Sequence, residues 1–165
     1  MAWFKRKDKK LKDSEKSPIP DGLWDKCPSC GEIIYKPELE KKLSVCNHCN
    51  HHFRILPENY VNLLLDEGTE IRHFHNLFSK DFLSFKGNKA YKNQILDAES
   101  KTGENDAILI YEGKINNQNI ILGIMNFSFI GGSMGSVVGE VVSRAITLAG
   151  ERKTPFILIC SSGGA

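Results

Sequence analysis

The chain has 165 residues, with 22 Lys and Arg against 20 Asp and Glu, a formal net charge of +2 and 41% hydrophobic residues. A polypeptide of this size buries one real core, and no apolar run is long enough to cross a bilayer. The expectation is a soluble globular protein with no membrane partner.

The small positive excess is concentrated between Lys5 and Lys12, ahead of Ser17-Pro18-Ile19-Pro20. Residues 1–22 therefore read as a disordered basic tail and linker, a solvated leader in preference to a nucleic-acid contact. The N-terminus lacks an apolar signal-peptide core, so the chain is expected in the cytoplasm, where thiols stay reduced.

Residues 23–55 carry the strongest local signal. Cys27 and Cys30, then Cys46 and Cys49, form two Cys-x-x-Cys pairs fifteen residues apart. That spacing suits one structural zinc ion held by four thiolates. Gly31 and Asn50 follow each pair where a left-handed turn residue lets backbone amides face the sulfurs. Two knuckles on opposed hairpins make a zinc ribbon. A pair of disulfides or a redox Cys-x-x-Cys is disfavoured by the reducing compartment. His48, His51 and His52 read as solvent-facing bystanders, because four thiolates close a structural site.

From residue 56 onward a second, larger domain is expected. Pro57 to Glu67 reads as a helix with Tyr60, Leu63 and Leu64 on one face and Gly68 as its stop, capping the ribbon. Leu56 stands at its N-cap, where Ser or Thr would be better. Phe74, Phe78, Phe82 and Phe85 have no clean period and read as connector or core. Lys89 to Lys101 is a second helix, with Tyr91, Ile95 and Ala98 together and Gly103 ending it. Ile108–Tyr111 and Ile120–Met125 flank a turn at Asn116-Asn117 and predict a β-hairpin. A glycine-rich loop, Gly131 to Ser136, leads into a helix to Ala149 with Val138, Val141, Val142, Ala145 and Leu148 facing a core. Phe156–Cys160 is a buried strand that stops at Ser161-Ser162-Gly163-Gly164.

The order is thus β-β-α-β with a glycine pair at each of two turns. A Gly-Gly turn lets a ligand approach the main chain without a Cβ in the way, and lets amides converge on one oxygen. Gly131-Gly132 fits no phosphate-loop signature, because no Lys follows the glycines. Cys160 in its apolar strand reads as a buried inert thiol. Ser162 has no candidate base near it in sequence, which disfavours peptidase chemistry.

Three blocks in order carry a resemblance. They are the doubled Cys-x-x-Cys, Gly131-Gly132-Ser133-Met134-Gly135-Ser136-Val137-Val138-Gly139-Glu140, and Phe156-Ile157-Leu158 leading to Ser162-Gly163-Gly164-Ala165. Together they resemble the carboxyltransferase beta-subunit family of bacterial acetyl-coenzyme A carboxylase, from the ribbon to the last residue. The resemblance implies an α/β crotonase-like fold of repeated β-β-α units, incomplete at its C-terminus, with the ribbon beside the mouth of the active site. It implies transfer of a carboxyl group from carboxybiotin on a biotin carboxyl carrier protein to acetyl-CoA, giving malonyl-CoA for fatty-acid synthesis. The implied partners are a carboxyltransferase alpha subunit, in an alpha2beta2 heterotetramer, and biotin carboxylase, whose half-reaction accounts for any ATP-binding by the complex. By the match, Gly163 and Gly164 supply oxyanion-hole amides, while Gly131, Gly132 and Gly135 shape the wall along the CoA arm. The family continues beyond this last motif with Arg and a long C-terminal part, so the 165-residue chain is expected to show little activity alone and to aggregate. The rival reading is a zinc-ribbon module for nucleic acid, against which Glu32, Glu38 and Glu40 interrupt the ribbon's lysines.

Overall fold

The computed structural model describes residues 22–164. The expected tail and its linker therefore lie, apart from Gly22, outside the described residues. The chain divides into two compact units between Arg54 and Ile55.

In the first unit, β1 (Trp24–Lys26) and β2 (Ile33–Tyr35) pair antiparallel around the first cysteine knuckle, with Lys26 opposite Ile33. A short helix not foreseen in the sequence, α1 (Lys36–Lys41), follows at once. Its signals are Pro37 at the start, Glu38 in the first turn and Lys41 in the last, each suited to the helix dipole or to the missing proline N–H. Leu39 on α1 is buried with Ile34, Cys27 and Cys46, and Phe53 packs against them. The second knuckle departs from expectation: a single bridge, Val45 to His52, replaces the second hairpin. Leu43 and Ser44 both take positive φ, 53° and 60°, so the chain leaves α1 through a left-handed turn and becomes extended only at the cysteines.

The second unit is a four-stranded sheet of order β3-β4-β5-β6. The strands are β3 (Ile71–His73), β4 (Ile108–Ile115), β5 (Gln118–Met125) and β6 (Phe156–Ile159). The first three are antiparallel, whereas β6 runs parallel to β5 and is reached by a crossover through a helix. The β4–β5 turn is Asn116-Asn117, with φ 49° and 64°. Two left-handed residues are what a two-residue hairpin turn needs to match strand twist, and Asn tolerates them.

Side chains alternate across the sheet. Ile108, Ile110, Ile121 and Met125 face one side, where α3 (Tyr91–Thr102) and α4 (Ser136–Arg152) cover them with Ile95, Ala98, Val138, Val141 and Ala145. Ile120, Leu122 and Ile124 face the other, against Val61 and Leu65 of the segment that opens with α2 (Pro57–Leu64). The sheet is thus the middle of three layers. Helix α2 packs on the sheet through Val61; Leu65, just after the helix, is buried on the same face, and Leu63 is exposed. Leu56 is its N-cap and makes no side-chain cap bond. α3 begins at Tyr91, not Lys89, and ends on Gly103 at φ 70°.

α2 also stops earlier than its sequence suggests, at Leu64 and not Glu67, because Asp66 is drawn away. The carboxylate of Asp66 accepts from Asn116 N–H at 3.0 Å and Asn117 N–H at 2.8 Å, and its own N–H donates to Lys114 O at 2.8 Å. This clasp ties the hairpin turn to the chain segment that covers the sheet. Replacing Asp66 with Ala leaves two turn amides to water and is expected to cost about 2 kcal/mol. Chemical denaturation of the variant measures it, and a change under a few tenths of a kcal/mol would make the clasp dispensable.

Of the phenylalanines read as connector or core, Phe74 packs against the core and Phe78, Phe82 and Phe85 are exposed connector residues. Two further expectations are corrected. β6 is half-exposed, not buried on both faces, because among the described residues it pairs with β5 alone. Cys160 is exposed rather than buried, since it lies one residue past the last β5 pairing, Ile124 with Ile159.

Candidate functional site

Four thiols converge in the ribbon. The Sγ atoms of Cys27, Cys30, Cys46 and Cys49 all lie within 4.8 Å of one another. Cys27 Sγ is 3.7 Å from Cys49 Sγ, and Cys30 Sγ is 3.8 Å from Cys46 Sγ. A tetrahedral zinc with bonds of about 2.3 Å has sulfur–sulfur edges of roughly 3.8 Å, so the donor set fits that ion. Disulfides, at about 2.05 Å, do not fit these separations.

The knuckles repeat one another atom for atom. Cys27 N–H donates to Glu32 O and Cys46 N–H to His51 O, each at 2.8 Å, while Gly31 N–H returns to Cys27 O at 2.9 Å and Asn50 N–H to Cys46 O at 3.0 Å. Gly31 at φ 79° and Asn50 at φ 58° are the left-handed residues expected there. His48 N–H reaches Cys46 Sγ at 3.4 Å, orienting an amide onto a sulfur. No histidine belongs to the metal-ligating cluster among the described residues, and the ring of His51 stands edge-on to Phe53 at 5.3 Å.

Electrostatics separate the thiols. Burial pushes the Cys27 thiol up, but the amides of Cys30 and Ser29 and the adjacent thiols outweigh it and bring it to about 6. The Glu32 amide pulls Cys30 down, but burial and the sulfurs of Cys49, Cys27 and Cys46 push it up to about 12. Four thiolates this close repel, and a divalent cation removes the repulsion. Zinc takes the place of the thiol protons, so the ribbon's affinity for zinc is expected to rise with pH. Competition against a chelator at several pH values checks this, and an affinity that does not change with pH would contradict it.

In the sheet unit the two glycine turns meet. Gly163 N–H donates to Gly131 O at 2.9 Å, and Met134 N–H to Gly164 O at 3.3 Å. The first turn is a short 3-10 segment, Ile130–Gly132, with three successive left-handed residues at φ 44°, 65° and 67°. A β-branched Ile130 there is strained by about 1–3 kcal/mol. Gly132 N–H to Phe129 O at 2.9 Å and Ser133 N–H to Ile130 O at 3.2 Å hold the turn. Gly132 lies so close to the end of β6 that a Cβ on it would be 2.1 Å from Ser161 O. Gly135 is the extended N-cap of α4, and nothing lies within 4 Å of where its Cβ would be. Glycine there leaves the start of α4 open on that side.

An open cleft of ≈ 240 Å³ is lined by Ile130, Gly131, Ser133, Gly163 and Gly164. Within it the two proposed oxyanion amides differ. Gly163 N–H is held by a main-chain carbonyl, whereas Gly164 N–H is held at 3.0 Å by the Ser162 hydroxyl, which in turn donates to Gly164 O at 2.9 Å. Ser162 thus bonds locally, and no histidine lines the cleft.

Beside the cleft lie further residues, of which Tyr91 alone was named in advance, on the face of a helix. Ser79, Tyr91, Asp106 and Phe129 line an adjoining cavity together with Ile130, Ser133 and Gly135. Asp106 is buried and fully engaged, accepting from Ser79 Oγ and Ala107 N–H, each at 2.8 Å. Asn126, also buried, accepts from Ser128 N–H at 3.0 Å and so launches the turn that leads to Ile130. Polar residues flanking apolar strands were their one visible mark.

The family model for the acetyl-CoA carboxylase zinc finger domain matches residues 24–49. Over its whole length the chain is 42% identical to the acetyl-coenzyme A carboxylase carboxyl transferase subunit beta of Pedobacter heparinus and 44% identical to that of Citrifermentans bemidjiense. The chain is a relative of these beta subunits. It spans 59% of the length of each, matching their N-terminal part. Among solved structures, transcarboxylase 12S with methylmalonyl-coenzyme A bound superposes at TM-score 0.55 and 22% identity, over 68% of this chain and 20% of that one. The beta subunit of P. aeruginosa geranyl-CoA carboxylase gives 0.51 and 20%, over 79% and 20%. The fold is therefore the crotonase-like fold of carboxyltransferases, preceded by a four-cysteine zinc ribbon. No helix among the described residues is long and apolar enough to cross a membrane.

Proposed function

We propose that this chain is part of the acyl-CoA side of an acetyl-CoA carboxyltransferase, acting in the cytoplasm beside a carboxyltransferase alpha subunit. Carboxybiotin on a carrier protein, charged by biotin carboxylase, supplies the CO2. Acetyl-CoA loses an α-proton to the biotin that has given up its CO2, the resulting enolate carbon attacks that CO2, and malonyl-CoA leaves. Negative charge develops on the thioester oxygen, where one aimed donor is worth roughly 3 kcal/mol.

The observation that carries this reading is the tie between the glycine turns, Gly163 N–H to Gly131 O at 2.9 Å, which brings both to one open cleft. Of the two amides, Gly164 N–H is the donor a thioester oxygen can recruit, by displacing a hydroxyl that rotates about one bond. Gly163 N–H serves as the staple that holds the turns together. Gly131, Gly132 and Gly135 keep side chains off the wall the substrate passes. In the ribbon, Cys27, Cys30, Cys46 and Cys49 hold one zinc ion in a closed structural site, with no position open for chemistry.

The test is carboxyl transfer by the full-length gene product assembled with the alpha subunit, carboxylated carrier and acetyl-CoA. Malonyl-CoA formation, followed with isotope-labelled bicarbonate in the coupled reaction, is the expected result. Its absence with an alpha subunit that is active beside a related beta subunit would overturn the proposal.

A further inference from the structure

Carboxyl transfer places negative charge on two oxygens in succession. The first is the thioester oxygen, served by Gly164 N–H. The second is the CO2 oxygen that receives an electron pair when the enolate carbon bonds to CO2, and it keeps a full carboxylate charge in the product. The residues lining the glycine cleft are Ile130, Gly131, Ser133, Gly163 and Gly164. None is a lysine, arginine or histidine, so the second charge meets no cation from this lining. Ser133 carries the one polar side chain among them. The neighbouring hydroxyls are committed elsewhere: Ser162 bonds both the N–H and the carbonyl of Gly164, and Ser79 donates to the Asp106 carboxylate at 2.8 Å. Ser133 is exposed, and its hydroxyl makes no hydrogen bond among the described residues.

The backbone of Ser133 is fixed by the turn it closes. After three left-handed residues it returns to φ −60° and ψ 130°, and its N–H donates to Ile130 O at 3.2 Å. The next residue, Met134, donates its N–H to Gly164 O at 3.3 Å, so Ser133 stands one residue from the point where the two turns meet. A side chain on a backbone held in this way is pre-organised as a donor.

We propose that the Ser133 hydroxyl is a catalytic residue that donates a hydrogen bond to the carboxylate as it forms on the substrate. The assignment rests on the carboxyltransferase reading and adds to it the group that meets the second charge. With the thioester oxygen at Gly164 N–H, the new carboxylate oxygens are four bonds away, within the same cleft of ≈ 240 Å³. The enolate's electron pair makes the C–C bond, one C=O pair of CO2 moves onto oxygen, and Ser133 donates to that oxygen while keeping its proton. In the reverse direction the C–C bond of malonyl-CoA breaks and the pairs return.

The test uses the full-length protein assembled with its alpha subunit, run in reverse with malonyl-CoA as carboxyl donor and free biotin as acceptor. Ser133→Ala is expected to weaken malonyl-CoA about tenfold, the scale of one hydrogen bond to a charged group. Acetyl-CoA has no carboxylate, so its inhibition constant against malonyl-CoA should stay at the parent value. Ser133→Thr keeps the hydroxyl and should hold malonyl-CoA near the parent value. Equal weakening of both thioesters, no change in either, or a Thr variant as impaired as the Ala variant would overturn the assignment while leaving the carboxyltransferase reading intact. A parent enzyme that moves no carboxyl group in either direction would overturn both.

Discussion

Removing the metal is expected to unfold the ribbon, with loss of amide dispersion over residues 24–53. The buried cluster there comprises Cys27, Ile34, Leu39 and Cys46, with Phe53 packed against it. Two of its four buried members are themselves thiols of the candidate site, so the apolar contacts that remain cannot offset the entropy of ordering some thirty residues at about 1–2 kcal/mol each. Zinc supplies on the order of 10 kcal/mol to a unit of this kind. Chelation, with the metal content measured afterwards, should therefore collapse the ribbon's spectrum, and Cys46→Ala should do the same in the presence of zinc. A ribbon that keeps dispersed amides once its metal is shown to be gone would contradict the assignment. The sheet unit, whose core is built without these cysteines, provides the internal reference in the same spectrum.

The second large effect is expected at Gly132. Its added methyl would meet Ser161 O at 2.1 Å and two further backbone atoms at 3.1 Å, and none of these can swing aside as a side-chain tip would. Its φ of 67° already disfavours any residue with a Cβ. Gly132→Ala is expected to destabilise the fold by about 3 kcal/mol or more, and to abolish carboxyl transfer in the assembled enzyme by parting the two glycine turns. Gly131→Ala is the matched control, since Gly131 has a similar φ of 65° but nothing within 4 Å of the new atom. That change should cost only about 1–2 kcal/mol, the left-handed penalty alone. Equal losses at the two positions, measured by denaturant titration, would show that the close approach to Ser161 does not matter.

The contrast between these two sites shows what was readable from residue types alone. The cysteine spacing, with Gly31 and Asn50 after each pair, determines a knuckle through local backbone geometry, and both residues have the left-handed φ that was expected. The Asn-Asn turn and the apolar faces of α3 and α4 were legible for the same reason, since each depends on contacts a few residues apart. What escaped depends on distant partners. β3 is a three-residue edge strand with no pattern of its own, and it exists because β4 offers a free side. α2 gives way at Leu65 because Asp66 is claimed by a turn fifty residues later. Cys160 was assigned to the interior on the apolar run before it, and only the pairing register shows it to be outside. The phenylalanines read as connector or core, and three of the four are exposed connector. In the candidate site, both glycine pairs were visible but not their difference. Which amide carries a displaceable hydroxyl and which a fixed carbonyl follows from how the turns meet.

The Asp66 clasp also bears on the order in which the sheet unit forms. The β4–β5 hairpin closes over a two-residue turn and needs no distant contact, so it can appear within about 1–10 μs. The parallel pairing of β6 must wait for the whole of α4 to be in place, because its loop-closure entropy is lost before any ladder bond is gained. Between these, Asp66 waits for the hairpin, since the amides it accepts are aligned only once Asn116 and Asn117 have turned. Docking of the α2 segment is thereby strengthened when the hairpin is correctly registered. A strand pair slipped by one residue would present its turn amides elsewhere, and the carboxylate would find no partner. The clasp acts as a proofreading contact for strand register, and its loss should show as a slower, more heterogeneous refolding reaction beyond the lowered stability.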